Sequence, residues 1–128
     1  MNLSSGVDII EIERIERALN RNGDRFLQRI FTEREQAHCG RRLHSLAGRF
    51  ALKEAVSKAL GTGIGDFNWV DVEIINDDRG KPILCLHNNA QTLANQLGLG
   101  QWSVSISHTD THAIGFAVAI GIEMTTEN

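Results

Sequence analysis

The chain has 128 residues, 41% of them apolar, and a formal net charge of −3, which suits one compact domain with a real core and is too short for two ordinary ones. The longest apolar run, residues 113–122, is interrupted by glycines and bounded by His112 and Glu123, too short for a membrane span. The segment up to Asp8 carries no basic residue and no long apolar core, so no secretory signal is read there and a cytoplasmic protein with no membrane partner is expected.

Alternation predicts a first strand over residues 3–10, with Val7 and Ile9 on one face and Asp8 on the other. A helix from Glu11 to about Asn20 follows, with Ile12, Ile15 and Leu19 at helical spacing and Arg14, Arg17 and Arg21 as a second stripe. Asn22 and Gly23 stop it. Asp24 is the expected cap of a short helix bearing Phe26, Leu27 and Ile30, and Thr32 with Glu35 matches a capping box for the next. The strongest helix signal covers residues 45–60 and ends at Gly61; its apolar residues cover most of the circumference, which places it at the centre of the domain. Beyond the Gly61, Gly63 and Gly65 loop, a strand is expected over 69–75, a turn over 76–82 and a returning strand over 83–86. Asn88 or Asn89 would cap a helix reaching Leu97, ended by Gly98. Two last strands, 101–107 and 113–122, close the set. In the second, Ile114, Phe116, Val118, Ile120 and Ile122 alternate with Ala113, Gly115, Ala117, Ala119 and Gly121, so the central helix is expected to pack closely on its small side. The expectation is a single α+β domain over residues 1–122, an antiparallel sheet of about five strands around a buried helix, with a loose tail over 123–128.

The two cysteines, Cys39 and Cys85, form no C-x-x-C pattern, and the five histidines are scattered along the chain, which argues against a disulfide and against structural zinc. Between Arg14 and Lys58 lie eleven basic and five acidic residues, a net of +6, whereas the remainder holds two basic and eleven acidic, a net of −9. A basic segment in an acidic protein suggests a negatively charged partner, although solvated helix faces give the same count. Aromatics are too few beside the basic residues to favour nucleic acid. Glu54 and Lys58, four apart on a mostly apolar helix, are either an exposed i, i+4 pair with Lys53 a solvated neighbour, or a metal ligand and a phosphate contact. Asp8 either caps a helix or faces a site. Ser105, Ser107 and His108 end a strand with their polar atoms expected in one region, and a structural histidine is the ordinary alternative there.

Taken in order, Gly6-Val7-Asp8-Ile9-Ile10-Glu11-Ile12 with Arg14-Ile15, Phe31-Thr32-x-x-Glu35, Arg49-Phe50-Ala51-x-Lys53-Glu54-Ala55-x-x-Lys58-Ala59-x-Gly61-Thr62-Gly63, Gly80-Lys81-Pro82 and Val104-Ser105-Ile106-Ser107-His108 resemble the holo-acyl-carrier-protein synthases, the short bacterial type of 4′-phosphopantetheinyl transferase. The resemblance implies transfer of phosphopantetheine from coenzyme A to a serine of an apo acyl carrier protein in fatty acid biosynthesis. It implies Mg2+ on Asp8 and Glu54, phosphate charge met by Lys58, and a metal-associated water, Asp8 or His108 as the proton acceptor, a water oriented near Asp8 being favoured. It further implies nucleotide contacts from Arg49, Gly61, Gly63, Ser107 and His108, and a homotrimer in which Lys81 and Pro82 of one subunit approach the nucleotide held by another. Docking of the acidic carrier protein falls to Arg14, Arg17 and Arg21. Two competing readings are a carrier-binding module without catalysis and another magnesium-dependent phosphoryl transferase; the first would expect damage at Asp8, Glu54 or Lys58, and the second a Walker-type loop or further acid cluster that the sequence lacks.

Overall fold

The computed structural model describes residues 2–121. The chain runs β1 (Asn2–Glu11), α1 (Ile12–Asn22), α2 (Asp24–Ile30), α3 (Glu33–Cys39), α4 (Leu43–Ala59), a 3-10 turn (Trp69–Asp71), β2 (Val72–Asn76), β3 (Pro82–Leu86), α5 (Asn88–Gln96), β4 (Gln101–His108) and β5 (His112–Gly121). All strand pairing is antiparallel, and the five strands divide into a three-stranded sheet ordered β1-β5-β4 and a separate β2-β3 ladder. The expected α+β architecture around a buried α4 is what forms, but the single five-stranded sheet expected is corrected to two, because β3 pairs with β2 and not with β4. Ile122 and the tail over 123–128 lie outside the described residues. Among the described residues no helix is long and apolar enough to cross a membrane.

Local sequence explains most element ends. Gly23 stops α1 at φ 53 and returns its N–H to Leu19 O. Thr32 and Glu35 form both halves of the capping box on α3. Three expectations need correction. Asp24 is the first residue of α2 and makes no capping bond; its carboxylate pairs with Arg41 instead. Residues 69–71 are a 3-10 turn, because Asn68 and Asp71 close a capping box over them before the strand begins. Asn88 does not cap α5: His87 is the N-cap, and the Asn88 amide donates to the buried Asp71.

α4 lies across the inner face of the three-stranded sheet, and glycine lets it approach. A Cβ on Gly6 would fall on the Ala55 carbonyl, and one on Gly115 would fall on the backbone of Leu52. Ala113, Ala117 and Ala119 are fully buried on the same side of β5. The other side of the sheet is open and apolar, with Leu3, Val7 and Ile9 of β1 beside Ile114 and Phe116 of β5 all at least 38% exposed.

Candidate active site

β1 and α4 are matched in pitch, and that match delivers Asp8. Along the inward side of β1, the Ser4 hydroxyl donates to Ala59 O at 2.5 Å and Gly6 meets Ala55. Two residues of strand advance about 6.8 Å and four of helix about 6 Å, so Asp8, the next inward residue, arrives one turn earlier on α4, at the turn bearing Glu54. Lys58 Nζ donates to Asp8 Oδ1 at 2.9 Å and to Val7 O at 3.1 Å. Lys58 therefore pairs across elements with Asp8, and an i, i+4 pair with Glu54 is not what forms. The side chains are 51% and 21% exposed. Glu54 is half-buried; burial first, and then the charge of Asp8, raise its carboxyl, while Lys58 and Arg14 pull it down.

Two carboxylates sharing one field, with nothing bonded to Asp8 Oδ2 among the described residues, form a place for a cation. No group of three or more His, Cys, Asp or Glu side chains suited to a metal exists among the described residues, so a site demanding an all-protein cage does not fit. Magnesium does fit, since it takes one or two protein carboxylates and completes its octahedron with water and phosphate oxygens.

The remaining expected residues lie at various distances from this cluster. Arg14, Arg17 and Arg21 form an exposed stripe on α1, Arg17 held by Glu13 at 3.0 Å, and Arg14 is close enough for its charge to act on Glu54. Gly61 and Gly63 adopt φ 83 and 77 after α4, where the N–H groups of Thr62 and Gly63 point back to Ser57 O at 3.3 Å. Arg49 is buried, its guanidinium donating to Ile74 O at 3.3 Å and to Asn76 Oδ1. Asn76 in turn donates to Gly80 O, so Arg49 braces the β2-β3 turn that presents Lys81 and Pro82. Ser107 and His108 do not point the same way. Strand alternation puts Ser105 and Ser107 beside Phe116 and Ile114 on the open face, whereas His108 follows Val104 and Ile106 onto the α4 side. That corrects the expectation of one polar region. His108 pairs with Ala113, two strands across and one pleat along from Asp8.

Sequence reading missed three features. Lys53 is completely buried rather than solvated: its ammonium donates to Glu35 Oε1 at 2.8 Å, to Trp69 O at 3.1 Å and to Val72 O. Burial lowers its pKa and Glu35 works against that shift. Beside the arginine stripe, Arg25, Phe26, Arg29, Phe50 and Trp69 line a groove of about 580 Å³, in which Phe50 and Trp69 stack at 4.7 Å. The third is His44, whose ring lies 4.8 Å from that of His108. None of the three carries a local signal: the partners of Lys53 lie 16 to 19 residues away, and the ring pairs Phe50–Trp69 and His44–His108 join distant parts of the chain.

Comparison with known proteins decides the family. The family model described as the 4′-phosphopantetheinyl transferase superfamily matches residues 4–117. The chain belongs to that superfamily. It is 47% identical over 126 residues to a holo-[acyl-carrier-protein] synthase of Herpetosiphon aurantiacus, covering 93% of this chain and 99% of that one, and 50% identical over 121 residues to one of Moorella thermoacetica, covering 92% of each. The holo-[acyl-carrier-protein] synthase of Helicobacter pylori, solved in complex with coenzyme A, superposes with a TM-score of 0.83 at 35% identity, over 91% of this chain and 99% of that one. This phosphopantetheinyl transferase thus has its acid–lysine cluster at the β1–α4 contact, on the two elements whose sequences carry the most distinctive motifs.

Proposed function

We propose that this transferase moves 4′-phosphopantetheine from coenzyme A to a serine hydroxyl of an apo acyl carrier protein in the cytoplasm, serving fatty acid biosynthesis. The observation that carries the reading is the cluster of Asp8, Glu54 and Lys58, where two carboxylates and an ammonium converge from two elements. Asp8 and Glu54 would hold Mg2+, which when bound supplies charge neutralisation for the pyrophosphate. Lys58, on a half-exposed flexible stem, reaches a phosphate oxygen. The serine oxygen bonds to the phosphorus carrying pantetheine, the bond from that phosphorus to the bridging oxygen breaks, and adenosine 3′,5′-bisphosphate leaves. Such a displacement needs alignment and charge compensation more than a covalent protein intermediate. A water oriented near Asp8 takes the serine proton and passes it to solvent.

The acidic carrier protein docks on Arg14, Arg17 and Arg21, next to the Phe26, Phe50 and Trp69 groove, which offers an apolar seat within a basic rim. The nucleotide is met by the Gly61 to Gly63 loop and His108 on the α4 side, while the buried Arg49 braces the β2-β3 turn. The open apolar face of the sheet supports assembly as a trimer with sites between subunits, where Lys81 and Pro82 of one subunit reach the nucleotide on another. The test is to incubate the protein with apo carrier protein, coenzyme A and magnesium and weigh the carrier by mass spectrometry. A mass increase equal to phosphopantetheine is expected, and an unchanged carrier would sink the reading.

A further inference from the structure

His108 closes β4 with little to hold its side chain. Its backbone is paired with Ala113, but the imidazole is exposed and makes one weak hydrogen bond among the described residues, Nδ1 to Thr109 O at 3.3 Å. A carbonyl oxygen only accepts, so Nδ1 is the donor in that contact. The ring also packs against the imidazole of His44, with centroids 4.8 Å apart and planes inclined at 56°. His44 stands in the first turn of α4, the helix that also carries Glu54 and Lys58. α4 is among the best-anchored bodies in the protein, buried along eleven of its seventeen residues and tied to α3 and β2 through Lys53. The His44 contact therefore references a loosely held strand-end side chain to the same rigid body that fixes the acid–lysine cluster.

We propose that His44 is a positioning residue: its ring holds the His108 imidazole in the orientation from which it meets the nucleotide phosphates, and it acts only through His108. The inference rests on the reading of His108 as a nucleotide contact. An exposed imidazole free in both side-chain torsions loses that freedom when coenzyme A binds, and a ring already packed against it removes part of the loss beforehand. The holding element is the face of the ring rather than its nitrogens, since neither ring nitrogen of His44 has a hydrogen bond among the described residues. A phenylalanine at 44 should therefore serve, and an alanine should not.

The test is a double-mutant cycle with coenzyme A varied at saturating carrier protein, alongside calorimetric titration of coenzyme A into the same proteins. His44→Ala is expected to raise both KM and Kd for coenzyme A about 3- to 10-fold, the range of an aromatic pair, while leaving the KM for carrier protein and the melting temperature in place. His44→Phe is expected to restore coenzyme A binding to within about 2-fold. Adding His44→Ala to His108→Ala should change nothing more. Additive losses in the double variant, failure of His44→Phe to rescue, or an inert His44→Ala beside a weakened His108→Ala would each overturn the proposal while leaving His108 a nucleotide contact. An inert His108→Ala would instead remove His108 from the site, and the role of His44 with it.

Discussion

At the scale of single residues, the site shows a conflict between stability and use. Glu54 carries a carboxyl raised by burial and by Asp8, so its ionised form is the one the fold disfavours. A folded pKa above the unfolded value means that this residue stabilises the protein least once pH has risen past that folded pKa. Glu54→Gln keeps the shape and removes the charge. It should raise the melting temperature by about 1–3 °C at neutral pH while lowering kcat/KM at least about 100-fold, as loss of a charge-organising group in a transferase does. Differential scanning fluorimetry and the carrier mass assay read the two effects, and retained activity would take Glu54 out of the site. Lys53, its neighbour in sequence, was legible only as a charge. On a helix apolar around most of its circumference periodicity assigns it no side, and nothing in a single sequence tells that Glu35, Trp69 O and Val72 O would converge there. The polar end of β4 was misread for a simpler reason, since strand alternation separates His108 from Ser107 and the residue types drew them together.

At the scale of elements, what could be read was what adjacent residues decide. The Thr32–Glu35 box, the Gly23 stop and the large and small sides of β5 are all local patterns, and all form as expected. Where a local signal failed, a partner distant in sequence had claimed the side chain: Arg41 took Asp24, and Asp71 took Asn88. The division of five strands into two sheets is likewise a matter of distant pairing. The β1–α4 contact allows a direct test of what glycine contributes. Gly6→Ala pushes a methyl group into the Ala55 carbonyl, and because backbone rather than a flexible side chain stands in the way, α4 must move. The variant should lose about 2–3 kcal/mol in chemical denaturation. It should also bind Mn2+ more weakly in titrations followed by electron paramagnetic resonance, since Asp8 and Glu54 part company. Metal binding as tight as in the parent protein would contradict the pitch-matched geometry.

At the scale of the whole molecule, two features set behaviour in solution. Glu73 gathers α3, β2 and the start of α5 around one buried carboxylate; burial would raise it, but hydrogen bonds from Arg34, Thr32 and His87 outweigh that and hold it at about 2. A depressed folded pKa means its stabilisation is complete above the unfolded value of about 4.3 and is lost as pH falls through the folded one. The stability difference between the parent protein and Glu73→Gln, measured by urea denaturation, should therefore shrink steadily from about pH 4.5 to about pH 2. A difference constant across that window would mean that the network leaves the carboxyl untouched. The second feature is the open sheet face. Phe116→Asp places a charge among Val7, Ile114 and their neighbours; under the proposed trimeric assembly, light scattering should report three subunits for the parent protein and one for the variant, with transfer activity falling alongside. A variant that stays trimeric would move the interface elsewhere.

β5 has a further consequence. Its two sides differ so sharply in bulk that its alignment is policed by collision as well as by hydrogen bonding. A slip of one position would exchange the sides, driving Phe116 into the space where Gly115 admits the Leu52 backbone. A misaligned chain could not bring α4 down onto the sheet at all. Such a chain would lack the proposed metal-binding pair altogether, so among properly closed molecules the error should be invisible, and quality control of the candidate site is built into the closing of the fold.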